Sequence, residues 1–240
     1  MKLFFLLLSI LLLTGIGANA KPAAKAKQEA GLVMHQRYKL FGKSIKQYLT
    51  ESNFRWSAED LGLNIVMSKP EWQVTMFNVR TRRYIKLPVD KFKAPFHSNV
   101  LVYLDAAPSK LPLKSTQVIR LWGLKVRRFS AFNIKSLTSG RKLYSAEFYV
   151  ADDLKVHDNV KKMLGKLYSS TKYNGVPLRF AYKNSVDSGE GKVPFETISV
   201  KRTVIPDSVF SIPKNLKVSK SENEVYSNRA GEEALYWMIK

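Results

Sequence analysis

The side chains able to do chemistry are few. The chain has three histidines, His35, His97 and His157, and no cysteine. None of the histidines has a second histidine or a carboxylate at ligand spacing, and the lack of thiols excludes a cysteine-based zinc site, a cysteine nucleophile and a disulfide framework. His157 lies near Asp152, Asp153 and Asp158, which read together as the acidic start of a helix. G-x-S-x-G, H-E-x-x-H and S-x-x-K with its partner motifs are missing. Ser188-Gly189-Glu190-Gly191-Lys192 lacks the G-x-x-x-x-G-K-[ST] spacing of a phosphate loop and reads as a turn. Glu147 and Glu196 have the right type for an acid–base pair, but nothing in the sequence brings them together. The expectation is a protein that is not an enzyme and needs no metal or cofactor.

Two other groups carry more information. Tyr48, Phe54, Trp56, Trp72, Met76, Trp122, Tyr144 and Phe148 fall on apolar faces of predicted strands. Such a face fills a closed core or lines a cavity for an alkyl chain, where each buried methylene contributes about 0.8 kcal/mol. Arg80, Arg82, Arg83, Lys86, Lys91 and Lys93 form one basic stretch, and Arg120, Lys125, Arg127 and Arg128 another. Either suits a phosphate or an anionic headgroup, since arginine binds phosphate through two parallel hydrogen bonds. Either is equally a solvated face.

These residues need strands to hold them. From Gly31 the pattern has period two: Leu32, Met34, Tyr38 and Leu40 on one face, His35, Arg37 and Lys39 on the other. Further extended runs follow over Ile45 to Trp56, Leu61 to Ser68, Trp72 to Met76 and Arg82 to Leu87, with turns at hairpin spacing. Tyr48, Phe54 and Trp56 are read in phase on one run. Pro88 to Pro112 breaks the rhythm with four prolines around the apolar patch Val100 to Leu104. Strands resume at Thr116, with Val118, Arg120 and Trp122 alternating with Ile119 and Leu121. Val160, Met163, Leu164, Leu167 and Tyr168 then mark one face of a helix, with Asp158 as its expected N-cap. Leu178 to Tyr182 and Thr197 to Ile205 form a last hairpin.

The first twenty residues stand apart. Lys2, the apolar stretch Leu3 to Gly17 and Ala18-Asn19-Ala20 have the pattern of a cleaved secretory signal. The chain is therefore expected outside the cytoplasm, most simply in a periplasm or secreted, and not membrane-spanning after cleavage. Its 40 Lys and Arg against 19 acids give a formal charge of +21, of which the signal holds only Lys2. A basic chain usually suggests nucleic acid, but export argues against nucleic acid as the partner. The polyanions beyond an inner membrane are phospholipid headgroups, lipopolysaccharide, teichoic acids and acidic polysaccharides.

The order WGLKVRRFSAF (Trp122 to Phe132), EFYVADDL (Glu147 to Leu154), an amphipathic helix, NGVPLRF (Asn174 to Phe180) and IPDSVFSIPKNLKV (Ile205 to Val218) resembles a family of exported bacterial proteins of unknown function. That family is similar in turn to the LolA/LolB lipoprotein carriers and related outer-membrane lipoprotein-sorting proteins. Val126 stands where the family usually has Cys, Leu124 where it has Tyr, and Tyr149 replaces the Trp of its W-V-x-x-D-L strand end. The resemblance implies a mainly β (α+β) fold: a curved antiparallel sheet forming an open half-barrel, its concave face covered by a helix and loops. In the carriers, that face holds acyl chains.

The organisation expected is a signal over 1–20, a flexible basic leader over 21–30, one half-barrel domain over 31–218 and a C-terminal tail over 219–240. The function expected is non-catalytic binding of a lipid, an acyl chain or a lipid-modified protein, tail on the aromatic face and head on the basic rim. The alternative is an envelope adhesion or scaffold protein with a closed core, binding anionic polymer or membrane through its basic exterior.

Overall fold

The computed structural model describes residues 28–39, 41–94, 107–135, 142–183 and 191–226. The signal, most of the leader, Leu40, His97, the Val100 to Leu104 patch and the chain beyond Tyr226 lie outside the described residues. Among the described residues there are twelve strands, most of them alternating between apolar and polar side chains: β1 (Gln28–Tyr38), β2 (Gly42–Thr50), β3 (Asn53–Ala58), β4 (Leu63–Ser68), β5 (Val74–Asn78), β6 (Arg83–Leu87), β7 (Lys114–Leu121), β8 (Leu124–Lys135), β9 (Lys142–Ala151), β10 (Val176–Lys183), β11 (Lys192–Pro206) and β12 (Lys217–Val218). Two α-helices occur among the described residues, α1 (Asp158–Leu167) and α2 (Glu222–Tyr226).

All strands belong to one sheet, ordered β12-β6-β5-β4-β3-β2-β1-β11-β10-β9-β8-β7 and not closed into a barrel. Neighbours are antiparallel except β12, which runs parallel to β6. The two meanders meet where β1 pairs with β11, from Gln28↔Pro206 to Tyr38↔Phe195. The mainly β, open-sheet architecture read from the sequence is therefore the one found.

Each sheet face has its own apolar cluster. The larger holds Leu32, Met34, Tyr38, Trp56, Met76, Phe148 and Phe180, with Val160, Met163, Leu164 and Leu167 of α1 packed on them. The smaller lies on the opposite face. There Val66, Phe77, Ile205 and Phe210 pack with Val33, Tyr48, Tyr84 and Leu216, as the chain after β11 folds back through a 3₁₀ turn at Asp207–Phe210. At the β6 edge, α2 buries Val225, and its Glu224 pairs with Arg83 at 3.0 Å. The segment read as a tail thus begins with a docked helix.

Gly31 marks a close approach between strands. A Cβ there would sit 2.3 Å from the Leu49 carbonyl oxygen and 2.8 Å from Ile205 Cδ1. Gly31→Ala is expected to force β1 away from β2 and to lower stability by about 1–3 kcal/mol in urea unfolding. A neutral result would show that the β1–β2 register yields there.

Candidate functional site

The helix-bearing face is assembled by strand register. Gln47, Trp56, Ile65, Met76 and Ile85 form one cross-strand row over β2 to β6, with Phe54 opposite Met67 beside it. Phe148 continues the face on β9, with Phe129 across on β8 and Phe180 on β10. Phe54, Trp56, Met76 and Phe148 have at most 1% of their surface exposed, and Trp72 is buried beside them. A side chain with no accessible surface borders no void large enough for water. These residues are packed against one another and against α1, as in Trp56 edge-on to Phe41 with centroids 5.0 Å apart.

A polar cluster sits inside this apolar face. Tyr168, the residue after α1, accepts hydrogen bonds at its hydroxyl from Gln47 Nε2 (2.8 Å) and Trp56 Nε1 (3.2 Å), and donates to Gln36 Oε1. Gln36 Oε1 also accepts from Gln47 Nε2 at 2.6 Å. Gln36 Nε2 donates to the Pro177 carbonyl (3.0 Å) and Thr197 Oγ1 (2.8 Å), and Thr197 donates to the Leu178 carbonyl (2.9 Å). The physical reason lies in the ladder. Register shifts fall between His35 and Gln36 and between Pro177 and Arg179. Bulges leave backbone groups unpaired, and here Gln36 and Thr197 take up the freed carbonyls. Burial raises the Tyr168 phenol well above its ordinary pKa, and Tyr38, stacked on it at 5.2 Å, is raised by burial and by Tyr168.

The helix is fixed at both ends. The Lys166 ammonium donates to three carbonyls of the segment after β6: Val89 (2.9 Å), Asp90 (2.7 Å) and Phe92 (3.0 Å). At the other end His157 is the N-cap, Nδ1 accepting from the Asn159 N–H at 3.2 Å, where the sequence pointed to Asp158. Its ring stacks on Trp72 at 4.4 Å. Gln36, Gln47, Tyr168 and Lys166 carry the arrangement, and the sequence reading singled out none of them for it.

Three predicted aromatic positions are elsewhere. Tyr48 is on the opposite face, against the smaller cluster. The run Ile45 to Trp56 is two strands joined by a turn at Glu51-Ser52, so Tyr48 pairs with Arg55 while Gln47 pairs with Trp56. Trp122 is 43% exposed at the β7–β8 turn, because Ile119 and Leu121, not Val118 and Arg120, face the core. Tyr144 is in phase with Phe148 but exposed near the start of β9.

The basic residues form two groups rather than one rim. Arg80, Arg82 and Arg83 are at the β5–β6 turn, while Arg120, Arg127 and Arg128 are on β7 and β8, at the other end of the strand order. Arg83 pairs with Glu224 and Arg127 with Asp152 (2.7 Å). Arg128 pairs with Glu147, which also accepts from the Tyr149 hydroxyl at 2.9 Å and lies 3.7 Å from Arg179. Glu196 is paired with Arg37. Both glutamates are thus held by arginines on the strand surface. Arg80, Arg82 and Arg120 make no ion pair among the described residues.

No family model matches the chain, and no curated protein sequence matches it. Solved structures similar to the chain include the following three. An uncharacterized conserved protein from Thermus thermophilus shares 15% identity over 80% of this chain and 88% of its own, with a TM-score of 0.37. PNGF-II shares 13% identity over 89% of this chain but 33% of its own, with a TM-score of 0.42. LprF from Mycobacterium bovis shares 13% identity over 72% of this chain and 84% of its own, with a TM-score of 0.24. Among the described residues no helix is long and apolar enough to cross a membrane.

Proposed function

We propose that this chain is an exported, non-catalytic binding protein of the half-barrel carrier type, with α1 as the cover over its ligand face. The acyl chain of a lipid or lipid-modified protein enters between α1 and the row of Trp56, Met76, Phe148 and their neighbours, displacing the helix. Arg80 and Arg82 supply anionic contact at the β5–β6 turn. The observation that carries this reading is the seating of α1. A wide apolar face is covered in part by one ten-residue helix held through discrete polar anchors, the Tyr168 hydroxyl and the Lys166 ammonium, with Val89, Phe92 and Leu111 of the connection in the same cluster. A buried polar contact such as that of the Tyr168 hydroxyl favours one geometry, so a cover lifted by a ligand returns to the same seat.

The test is native mass spectrometry of the protein as its host processes it, purified without detergent, alongside Lys166→Met. A reproducible extra mass that releases lipid on solvent extraction is expected. In Lys166→Met the α1 amides are expected to exchange with solvent about tenfold or more faster, from the loss of charge-assisted hydrogen bonds, and a fluorescent fatty acid to load faster. A clean apo mass, unchanged after incubation with phospholipid vesicles in both proteins, would end the carrier reading.

A further inference from the structure

The β7–β8 hairpin presents two features that the fold does not require. Its two-residue turn, between the paired Leu121 and Leu124, holds Trp122 at φ 51° and Gly123 at φ 72°. Left-handed backbone suits glycine or asparagine and disfavours a bulky side chain. A Cβ built on Gly123 meets nothing within 4 Å, so the tip is clear of the body on that side. Immediately behind it, Arg120 and Lys125 are directly opposed across the strands, a like-charge pair that weakens a hairpin. Val118, Arg120, Lys125 and Arg127 share one face of the hairpin, and all are exposed. Ile119, Leu121, Leu124 and Val126 share the other and pack on the core. The nearby acids are engaged: Asp152 with Arg127, and Asp153 Oδ2 with the Lys125 N–H at 3.0 Å. Among the described residues β7 is also the last strand of the sheet, so no described strand covers this side.

We infer that the tip of the β7–β8 hairpin docks on anionic lipid bilayers, with Trp122 in the headgroup region and Arg120 and Lys125 on lipid phosphates. Indole favours the membrane–water interface, and basic residues close to an anionic leaflet each add to binding. An exposed tryptophan on strained backbone, flanked by two cations with no ion pair among the described residues, fits that surface better than it fits a soluble turn. The inference is independent of whether α1 covers a lipid site.

The experiment is co-sedimentation of the host-processed protein with phosphatidylcholine vesicles, with and without phosphatidylglycerol. Binding to the anionic vesicles alone is expected. Trp122→Gly keeps the hairpin, since glycine takes the left-handed position freely, so its thermal midpoint should hold or rise. Its partition should nonetheless fall about tenfold, from the loss of roughly 55 Å² of indole contact. Arg120→Gln with Lys125→Gln should lower partition about thirtyfold. Three results would overturn the inference: Trp122→Gly pelleting like the parent, equal binding to neutral vesicles, or no vesicle binding at all beside retention on an acidic polysaccharide. None of these would touch the α1 reading, which rests on lipid extracted from the core.

Discussion

Trp56→Ala is expected to lower the stability of the fold by about 3–5 kcal/mol, with a fall in Tm of roughly 6–20 °C. Trp56 has no exposed surface, packs edge-on to Phe41 and donates to the Tyr168 hydroxyl. Removing it therefore opens a cavity and weakens the seat of α1 in one step. Trp56→Phe shifts the balance between the two effects: it keeps most of the volume but loses the N–H and part of the ring, so a smaller loss of about 1–3 kcal/mol is expected. Thermal and urea unfolding measure both. An alanine variant within about 1 kcal/mol of the parent would mean that the face is not tightly packed. The variant also bears on function. The space left is bordered by apolar neighbours such as Phe41 and by the Tyr168 hydroxyl, and the apolar part of such a cavity accepts apolar solutes. Under the carrier reading, Trp56→Ala should take up short fatty acids more readily than the parent, despite being less stable.

The positions that could be read from the sequence share a physical cause. Leu32, Met34 and Tyr38 on β1, and the five apolar residues read on the helix face, repeat at the period of their element, and all are buried where that period puts them. What escaped the period was the turn within Ile45 to Trp56. A two-residue hairpin with no glycine or proline leaves no punctuation, and missing it placed Tyr48 on the wrong face.

Trp122 extends the alternating series of Val118 and Arg120, the series that faces away from the core. The side chains that decide the β7 register are the smaller Ile119 and Leu121. The polar cluster did leave a trace, because Gln36 and Gln47 interrupt the inward series Leu32-Met34-Gln36-Tyr38 and Ile45-Gln47-Leu49. A glutamine in a core register predicts a buried partner. Its partner here is Tyr168, more than a hundred residues away in sequence, a pairing that only the β1–β11 and α1 packing creates.

Raising the pH above 10 is expected to unfold the protein steeply, at about 2.7 kcal/mol per pH unit. Burial raises the Tyr38 and Tyr168 phenols above their ordinary value in the folded state, and in the unfolded chain both return to about 10. Above pH 10 the unfolded chain has released two protons that the folded one still holds, so stability falls with pH at about 1.4 kcal/mol per unit for each group. Below pH 10 both states hold the protons and these groups contribute no slope. Tyr173, pushed up to about 12 by burial, acts in the same direction. Urea midpoints taken between pH 8.5 and about 11.5 measure the effect. Tyr38→Phe removes one proton from the balance and should lower the slope by about 1.4 kcal/mol per pH unit. A profile that stays flat through pH 11 would mean that both phenols ionise in the folded protein, which requires water on the face beneath α1. The same titration therefore asks whether the cover is shut. A slope restored by added fatty acid, in a protein that is flat without it, would show an acyl chain excluding the water that α1 had let in.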